Sequence, residues 1–325
     1  MRKSVHIAML GGFHIYVDGE SMDQLVSKSR KGMLLLQYLA LQHGESVPIY
    51  RLIDALWSGE SSSNPESALK TLVSRLRVML AQVSPALAAC IVTERGSYRW
   101  VTQNGVTVDL YEFEELEHRL NGCTALTPQS RADYQQVLRL YTGNLLQGNE
   151  EEWVVNRSVT LHTAYLKLVY QYLNLLKEQE LYEEIINVCR TALDVDAFDE
   201  TLHLQLMNAL VKTCRNNEAL MQYKHVTNLH FRYLGVQPPE GIQEFYKQII
   251  QAGNTLEMNI DSIREELQEY GEVSGAFVCE YAVFKEIYNL QMRNLERLGS
   301  TMFIALLMVS SMDGKPMKPL KLNDV

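Results

Sequence analysis

"NPESALKTLVSRLRVML", residues 64–80, decides how the first third of this chain is read. Leu69, Leu72, Val73, Leu76 and Leu80 fall at i, i+3, i+4, i+7 and i+11. That is one stripe of a 3.6-residue period, so the spacing predicts a helix over 65–80 with the stripe turned to a core. Asn64 offers a side-chain oxygen to the first turn, and Pro65 follows where a missing N–H costs nothing. The back of the helix carries Lys70, Thr71, Ser74, Arg75 and Arg77. Such a face is either ordinary solvated surface or a surface that meets a polyanion.

The composition sets the frame for that choice. With 325 residues, 46% of them hydrophobic and 21% charged, the chain suits a soluble protein of two or three domains. Its net charge of -9 is unevenly spread: residues 1–100 hold 11 Lys+Arg against 8 Asp+Glu, and the remainder 19 against 31. A mildly basic N-terminal domain on an acidic body is the distribution expected when one end approaches nucleic acid. Cys90, Cys123, Cys189, Cys214 and Cys279 lie far apart, with no CxxC and an odd count. This argues against a disulfide framework or a zinc site and fits a reducing, cytoplasmic location. The start, "MRKSVHIAMLGGFHIYVDGE", lacks the apolar core of a signal peptide. The longest apolar run, "MFIALLMV" at 302–309, is too short to span a bilayer, and no membrane partner is expected.

Working outward from the basic helix, "VHIAML" and "FHIYV" read as two short strands within 5–17, separated by Gly11 and Gly12. A first helix is expected at about 28–42, "KSRKGMLLLQYLALQH", and a second at about 48–57, "PIYRLIDALW". "SGESSSN" is a polar loop, and "CIVTERGSYRWV" reads as a hairpin pairing 91–93 with 98–101 through Glu94, Arg95 and Gly96. Strands, three helices and a closing hairpin make a winged helix-turn-helix of α+β class. Its third helix would enter the major groove, and its hairpin would lie along the backbone or minor groove of duplex DNA.

"LGGFHIYVDG", "RKGMLLLQYLAL", "LIDALW", "LKTLVSRLRVML" and "ERGSYRW" occur in that order across 100 residues. Together they resemble the OmpR/PhoB-type winged helix in the version found in Streptomyces antibiotic regulatory proteins (SARPs), a family of bacterial transcriptional activators. The resemblance implies a DNA-binding face made of Lys70, Thr71, Ser74, Arg75 and Arg77 on the third helix. It places Thr93, Arg95, Tyr98 and Arg99 in the wing. Arg77 and Arg99 have a competing structural reading, because each can pair with a neighbouring group; Trp57, Tyr98 and Trp100 suit packing better than base stacking.

From about residue 105 the chain becomes helix-rich. Tyr172/Leu206, Leu176/Leu210, Ile185/Ala219, Ile186/Leu220 and Cys189/Tyr223 repeat at an offset of 34, the period of stacked tetratricopeptide (TPR) helix pairs. "DLYEFEEL", "LYTGNLL", "CRTALDVDAFDETLHLQLMNAL" and "LGVQPPEGIQEFY" are similar to the bacterial transcriptional activator domain (BTAD) that follows the winged helix in the same family. The expected divisions are a winged-helix domain at 1–104, an all-α TPR-like BTAD at 105–252 and a segment at 253–325. The last reads as a linker helix and a short α/β piece. It is similar to the opening helix and strand of nucleotide-cyclase-like (GGDEF-type) domains, truncated or degenerate, without their Gly-Gly-acidic signature.

Catalytic patterns are missing from the sequence. It has no GxxxxGK[ST], HExxH or GxSxG, and its eight histidines are dispersed. No catalytic residue, cofactor or metal site is therefore expected, and the chain reads as a non-enzyme. The reading that results is a sequence-specific DNA-binding transcriptional regulator, activation being implied by the family resemblance alone. Its partners would be duplex DNA, RNA polymerase (implied by the resemblance) and a second copy of itself on DNA. The alternative is a protein-interaction scaffold whose TPR-like repeats bind protein and whose winged helix does not bind DNA.

Overall fold

A computed structural model describes residues 4–26, 29–57, 64–253 and 287–292. They divide between two compact units, 1–257 and 258–325. Of the second, a single helical turn and a half at 287–292 is described. The cyclase-like reading of the C-terminal segment otherwise falls outside the described residues.

The first unit opens on a small sheet. Strands β1 (Val5–Ala8), β2 (His14–Val17), β3 (Glu20–Ser21) and β7 (Val106–Val108) lie in the order β3-β2-β1-β7. Val5 and Ile7 alternate inward on β1, and Ile15 and Val17 do so on β2, as a sheet with one buried face requires. β1 and β2 are antiparallel, pairing Ile7 with Ile15, whereas β7 joins β1 in parallel, pairing Val5 with Val106 and Ile7 with Val108. The two-stranded expectation is thus enlarged from both sides. Its outer strand comes from beyond residue 104, so the winged-helix portion takes part of its first sheet from the chain that follows it.

Between these strands run α1 (Asp23–Val26), α2 (Arg30–Leu41), β4 (Ser46–Pro48), α3 (Ile49–Trp57), α4 (Pro65–Val83), α5 (Pro85–Ala89), β5 (Ile91–Glu94) and β6 (Ser97–Trp100). The second sheet has the order β4-β6-β5. Ser29 caps α2 by accepting from the Gly32 N–H at 3.2 Å, and Asn64 Oδ1 caps α4 by accepting from the Ser67 N–H at 3.1 Å. Leu69, Val73, Leu76, Leu80 and Val83 bury one side of α4, while Leu72, expected in the same stripe, sits half-buried at its margin. The helix runs three residues past the expected end because Val83 still faces the core; Ser84 and Pro85 then redirect the chain.

The remainder is helical: α6 (Asp109–Leu120), α7 (Pro128–Leu140), α8 (Glu152–Glu178), α9 (Tyr182–Val195), α10 (Glu200–Lys212), α11 (Asn216–Leu234) and α12 (Glu240–Gly253). Consecutive helices from α8 to α11 pack pairwise. The 34-residue offset falls on equivalent packing positions, with Tyr172, Leu176, Ile185, Leu206, Leu210 and Ala219 all buried. Tyr223, the partner of buried Cys189, is half-buried because it stacks on Tyr246 of α12.

A buried carboxylate fastens the two portions. Asp109, at the first position of α6 and 3% exposed, accepts from the Met9 N–H (2.9 and 2.8 Å), the Leu10 N–H (2.9 Å) and its neighbour's Leu110 N–H (2.6 Å). These donors are the backbone groups that emerge where β1 ends. Burial pushes the Asp109 carboxyl up, and the three N–H donors pull it back. Thr142 Oγ1 donates to Leu10 O at 2.7 Å, and Leu146 N–H donates to Met9 O at 2.7 Å. Gly11, at φ +100°, allows the close approach: a Cβ there would stand 2.3 Å from Thr142 Oγ1. Near the C-terminal end of α2, Tyr111 Oη donates to Ala40 O, His43 stacks on the Tyr111 ring at 3.7 Å, and Tyr38 meets Trp153 edge-on at 5.0 Å.

Candidate nucleic-acid interface

The helix α4 has two faces because its apolar positions keep a 3.6-residue period. With Leu69, Val73, Leu76 and Leu80 inward, Lys70, Thr71, Ser74 and Arg75 are carried to the opposite side, and all four are exposed. Thr71 Oγ1 donates back to Ser67 O at 3.0 Å, which leaves its methyl group and an acceptor lone pair facing outward. The outward row continues one turn further to Val78.

Arg77 differs from Arg75 in its environment. It is half-buried, and its guanidinium Nη2 donates to Ile91 O at 2.7 Å and to Thr93 Oγ1 at 2.8 Å, both on β5. The side chain therefore spans from α4 to the hairpin and fixes how the wing stands beside the helix. Thr93 is exposed, but its hydroxyl oxygen is the acceptor in this tie.

The hairpin turns at Arg95 and Gly96. Gly96 has φ +77° with nothing near the position of a Cβ, so its requirement is backbone conformation and not space. Arg95 is exposed at the tip. Arg99 is ion-paired with Glu94 across the hairpin, and Glu94 also accepts from Ser46 Oγ at 2.7 Å. Tyr98 is 5% exposed and packs in the core opposite Val47 of β4. The nine residues singled out in the sequence thus separate physically. Lys70, Thr71, Ser74, Arg75 and Arg95 present free faces, Arg77, Arg99 and Thr93 are engaged in internal ties, and Tyr98 is packing.

A groove of about 520 Å³ lies between α3, α4 and the hairpin, with Lys70, Glu66, Glu94 and Tyr50 on its walls. Tyr50 is 67% exposed, and neither it nor Val78 was singled out from the sequence as a contact. The signal available for both was an apolar residue at a position where the helical period predicts solvent.

Elsewhere the described residues hold no group of three His, Cys, Asp or Glu side chains placed to bind a metal ion. The buried His203 is a structural group: its Nε2 is 2.9 Å from Ala197 O and its Nδ1 is 2.8 Å from Gln222 Nε2. With Nε2 carrying the proton and Nδ1 accepting from the amide, both ring nitrogens are satisfied in the neutral form. No helix among the described residues is long and apolar enough to cross a membrane.

Residues 23–99 match the family model described as "Transcriptional regulatory protein, C terminal", and residues 108–250 match "Bacterial transcriptional activator domain". The chain is 28% identical over 255 residues to the regulatory protein AfsR of Streptomyces coelicolor, covering 78% of this chain and 25% of AfsR. It is likewise 28% identical over 234 residues to AfsR of Streptomyces griseus, covering 71% of this chain and 23% of that protein. The chain thus spans about a quarter of the length of the AfsR proteins. Against the regulatory protein DnrI of Streptomyces peucetius it is 25% identical over 272 residues, covering 78% of this chain and 95% of DnrI. Among solved structures, Mycobacterium tuberculosis EmbR in complex with a low affinity phosphopeptide aligns with a TM-score of 0.53 at 17% identity. That alignment covers 97% of this chain and 74% of EmbR, and it shows a shared fold. Two domain models thus match in tandem, with relatives aligned across both, and over residues 23–250 the chain is similar to SARP-type regulators, in which an OmpR-type winged helix precedes a bacterial transcriptional activator domain.

Proposed function

We propose that the chain is a sequence-specific DNA-binding transcriptional regulator of the activating kind. The observation that carries this reading is the outward face of α4, where Lys70, Thr71, Ser74 and Arg75 stand free beside a hairpin tipped by Arg95. A helix whose other side is buried can only present this row outward. The row offers the donors and cations that base edges and phosphates accept. In this reading Lys70 and Arg95 bind the backbone, Ser74 and Arg75 read base edges, and Arg77 and Arg99 position the wing without touching DNA.

The helical portion serves activation. Its match to an activator domain supports contacts with RNA polymerase, and stacked helix pairs supply an extended surface for a second copy bound alongside on DNA. Division of labour then falls near residues 104 and 252, although the folding of the two parts is shared.

The test is selection of duplexes from a random pool by the full chain, followed by footprinting and a salt titration of the selected site. Counterion release predicts that log Kobs falls linearly with log salt, with a slope of about -0.9 per phosphate contact. A chain that enriches no sequence and shows no salt slope is a protein-docking scaffold instead.

A further inference from the structure

On the proposed interface, Val78 is an aliphatic side chain left open to solvent, without a packing partner among the described residues. Val78 is 61% exposed and continues the outward row of α4 at i+7 from Thr71, i+4 from Ser74 and i+3 from Arg75. Folding supplies no reason for it. A β-branched residue is a poor choice for an exposed helix position, and Val78 contributes little to the core beneath. Arg77, its neighbour on the polar side, is turned to β5 and does not cover it.

We infer that Val78 reads a thymine, by packing its two methyl groups against the C5 methyl that only thymine displays in the major groove. This rests on the reading of α4 as the recognition helix. Apolar contact is the means by which a protein distinguishes that methyl group, which polar side chains cannot recognise by hydrogen bonding. The geometry also gives the register. A rise of about 1.5 Å per residue puts Val78 about 6 Å along the helix from Ser74 and about 10 Å from Thr71. At about 3.4 Å per base step, the thymine lies about two steps from the base read beside Ser74 and about three from that beside Thr71. The row is then a polar reader at each of its first two turns and an apolar one at the third.

The experiment uses the full chain and the duplex it selects from a random pool. Each thymine of that duplex is replaced singly by deoxyuridine, which deletes the methyl group and keeps the base pair. One position is expected to lose about three- to fivefold in affinity, the worth of one buried methyl group. Val78→Ala should bind the parental duplex as weakly as the parent binds that deoxyuridine duplex, and should no longer respond to the replacement there. Because alanine is the better helix former, this variant keeps the fold, and its melting curve checks that it does. Val78→Thr, which keeps one methyl group in the same shape, should retain part of the response. A selected duplex with no thymine whose deletion couples to Val78→Ala overturns the assignment, while Arg75→Ala still weakening that duplex leaves the interface itself standing. Failure to select any duplex overturns both.

Discussion

Arg75 and Arg77 are two residues apart on one helix, one exposed and the other tied to β5, so under the proposed function they should fail in opposite ways. Arg77 donates to Ile91 O and Thr93 Oγ1 from a half-buried position. Removing it leaves the Ile91 carbonyl, on a buried residue, without that donor, at a cost of about 1–3 kcal/mol; the exposed Thr93 hydroxyl turns to water at little cost. Arg77→Ala should therefore lower the unfolding free energy by about 1–3 kcal/mol, and Arg77→Lys by about half as much, since one ammonium reaches one acceptor well. Arg75 is exposed and makes no side-chain hydrogen bond among the described residues, so Arg75→Ala should stay within about 0.5 kcal/mol of the parent. Binding should separate them again. Arg75→Ala loses about 1–3 kcal/mol on the selected duplex and relaxes the preference at one base pair, with random duplex little affected. Arg77→Ala loosens the wing that carries Arg95, so it should weaken selected and random duplexes by the same factor. Urea unfolding and binding isotherms on the full chain measure both quantities. An Arg77→Ala protein as stable as the parent but with altered base preference would put Arg77 in the groove and refute the positioning role.

Three further outcomes follow from the packing. Asp109→Ala leaves three buried N–H donors without their acceptor and should cost about 3–5 kcal/mol, as breaking a buried charged network does; a loss under about 1 kcal/mol by urea unfolding would show that water replaces the carboxylate. Burial holds the His203 ring below the ordinary histidine value of 6.5, so the folded state resists a proton that the unfolded state takes up. Stability attributable to it is complete above about pH 6.5 and declines as pH falls below that value, by at most about 1.4 kcal/mol per unit, until the folded-state pKa is passed. His203→Gln should remove that part of the slope in melts between pH 5 and 8, and an unchanged slope would refute the assignment. Finally, a fragment ending at residue 104 lacks β7 and Asp109, which leaves β1 an unpaired edge; it should not unfold cooperatively, whereas the chain through residue 253 should, and calorimetry of the two distinguishes them.

The parts of this fold that were legible in the sequence are those written in local periods. α4 could be read because its capping Asn64, its Pro65 and its apolar stripe lie within twenty residues, and the wing because Gly96 marks the only place the hairpin can turn. The helix pairs were legible because a 34-residue repeat is also a local signal, carried twice. What could not be read depends on contacts between distant segments. Nothing near Val106 announces a parallel strand beside Val5, and Asp109 looks like an acid favouring the first turn of a helix until the ends of β1 are brought to it. Tyr98 keeps the strand alternation, sharing with Trp100 the buried face of β6; what could not be read is its pairing with β4, a strand hidden in the lead-in to α3. Arg77 was assigned to the DNA face because a helical period gives an angle around the axis but not what stands at that angle.

The same long-range contacts determine how a signal can reach DNA. Only residues 101–105 separate β6 from β7, and β7 is hydrogen-bonded to β1, so the wing has no free linker on which to swing away from the helical portion. Asp109 holds the end of β1, while Tyr111 and Trp153 hold the C-terminal part of α2 through Ala40 O, His43 and Tyr38. Reorienting α4 against α6–α8 would expose the Asp109 carboxylate's three donors and separate two aromatic pairs at once. That costs several kcal/mol, more than the 1–3 kcal/mol typical of an allosteric coupling. A partner or second copy that docks on the helices therefore positions α4 and the Arg95 tip as one body with itself. Under the proposed function, regulation within residues 1–253 would act through which surfaces are brought together on DNA, and not through a hinge between the winged-helix portion and the helices that follow it.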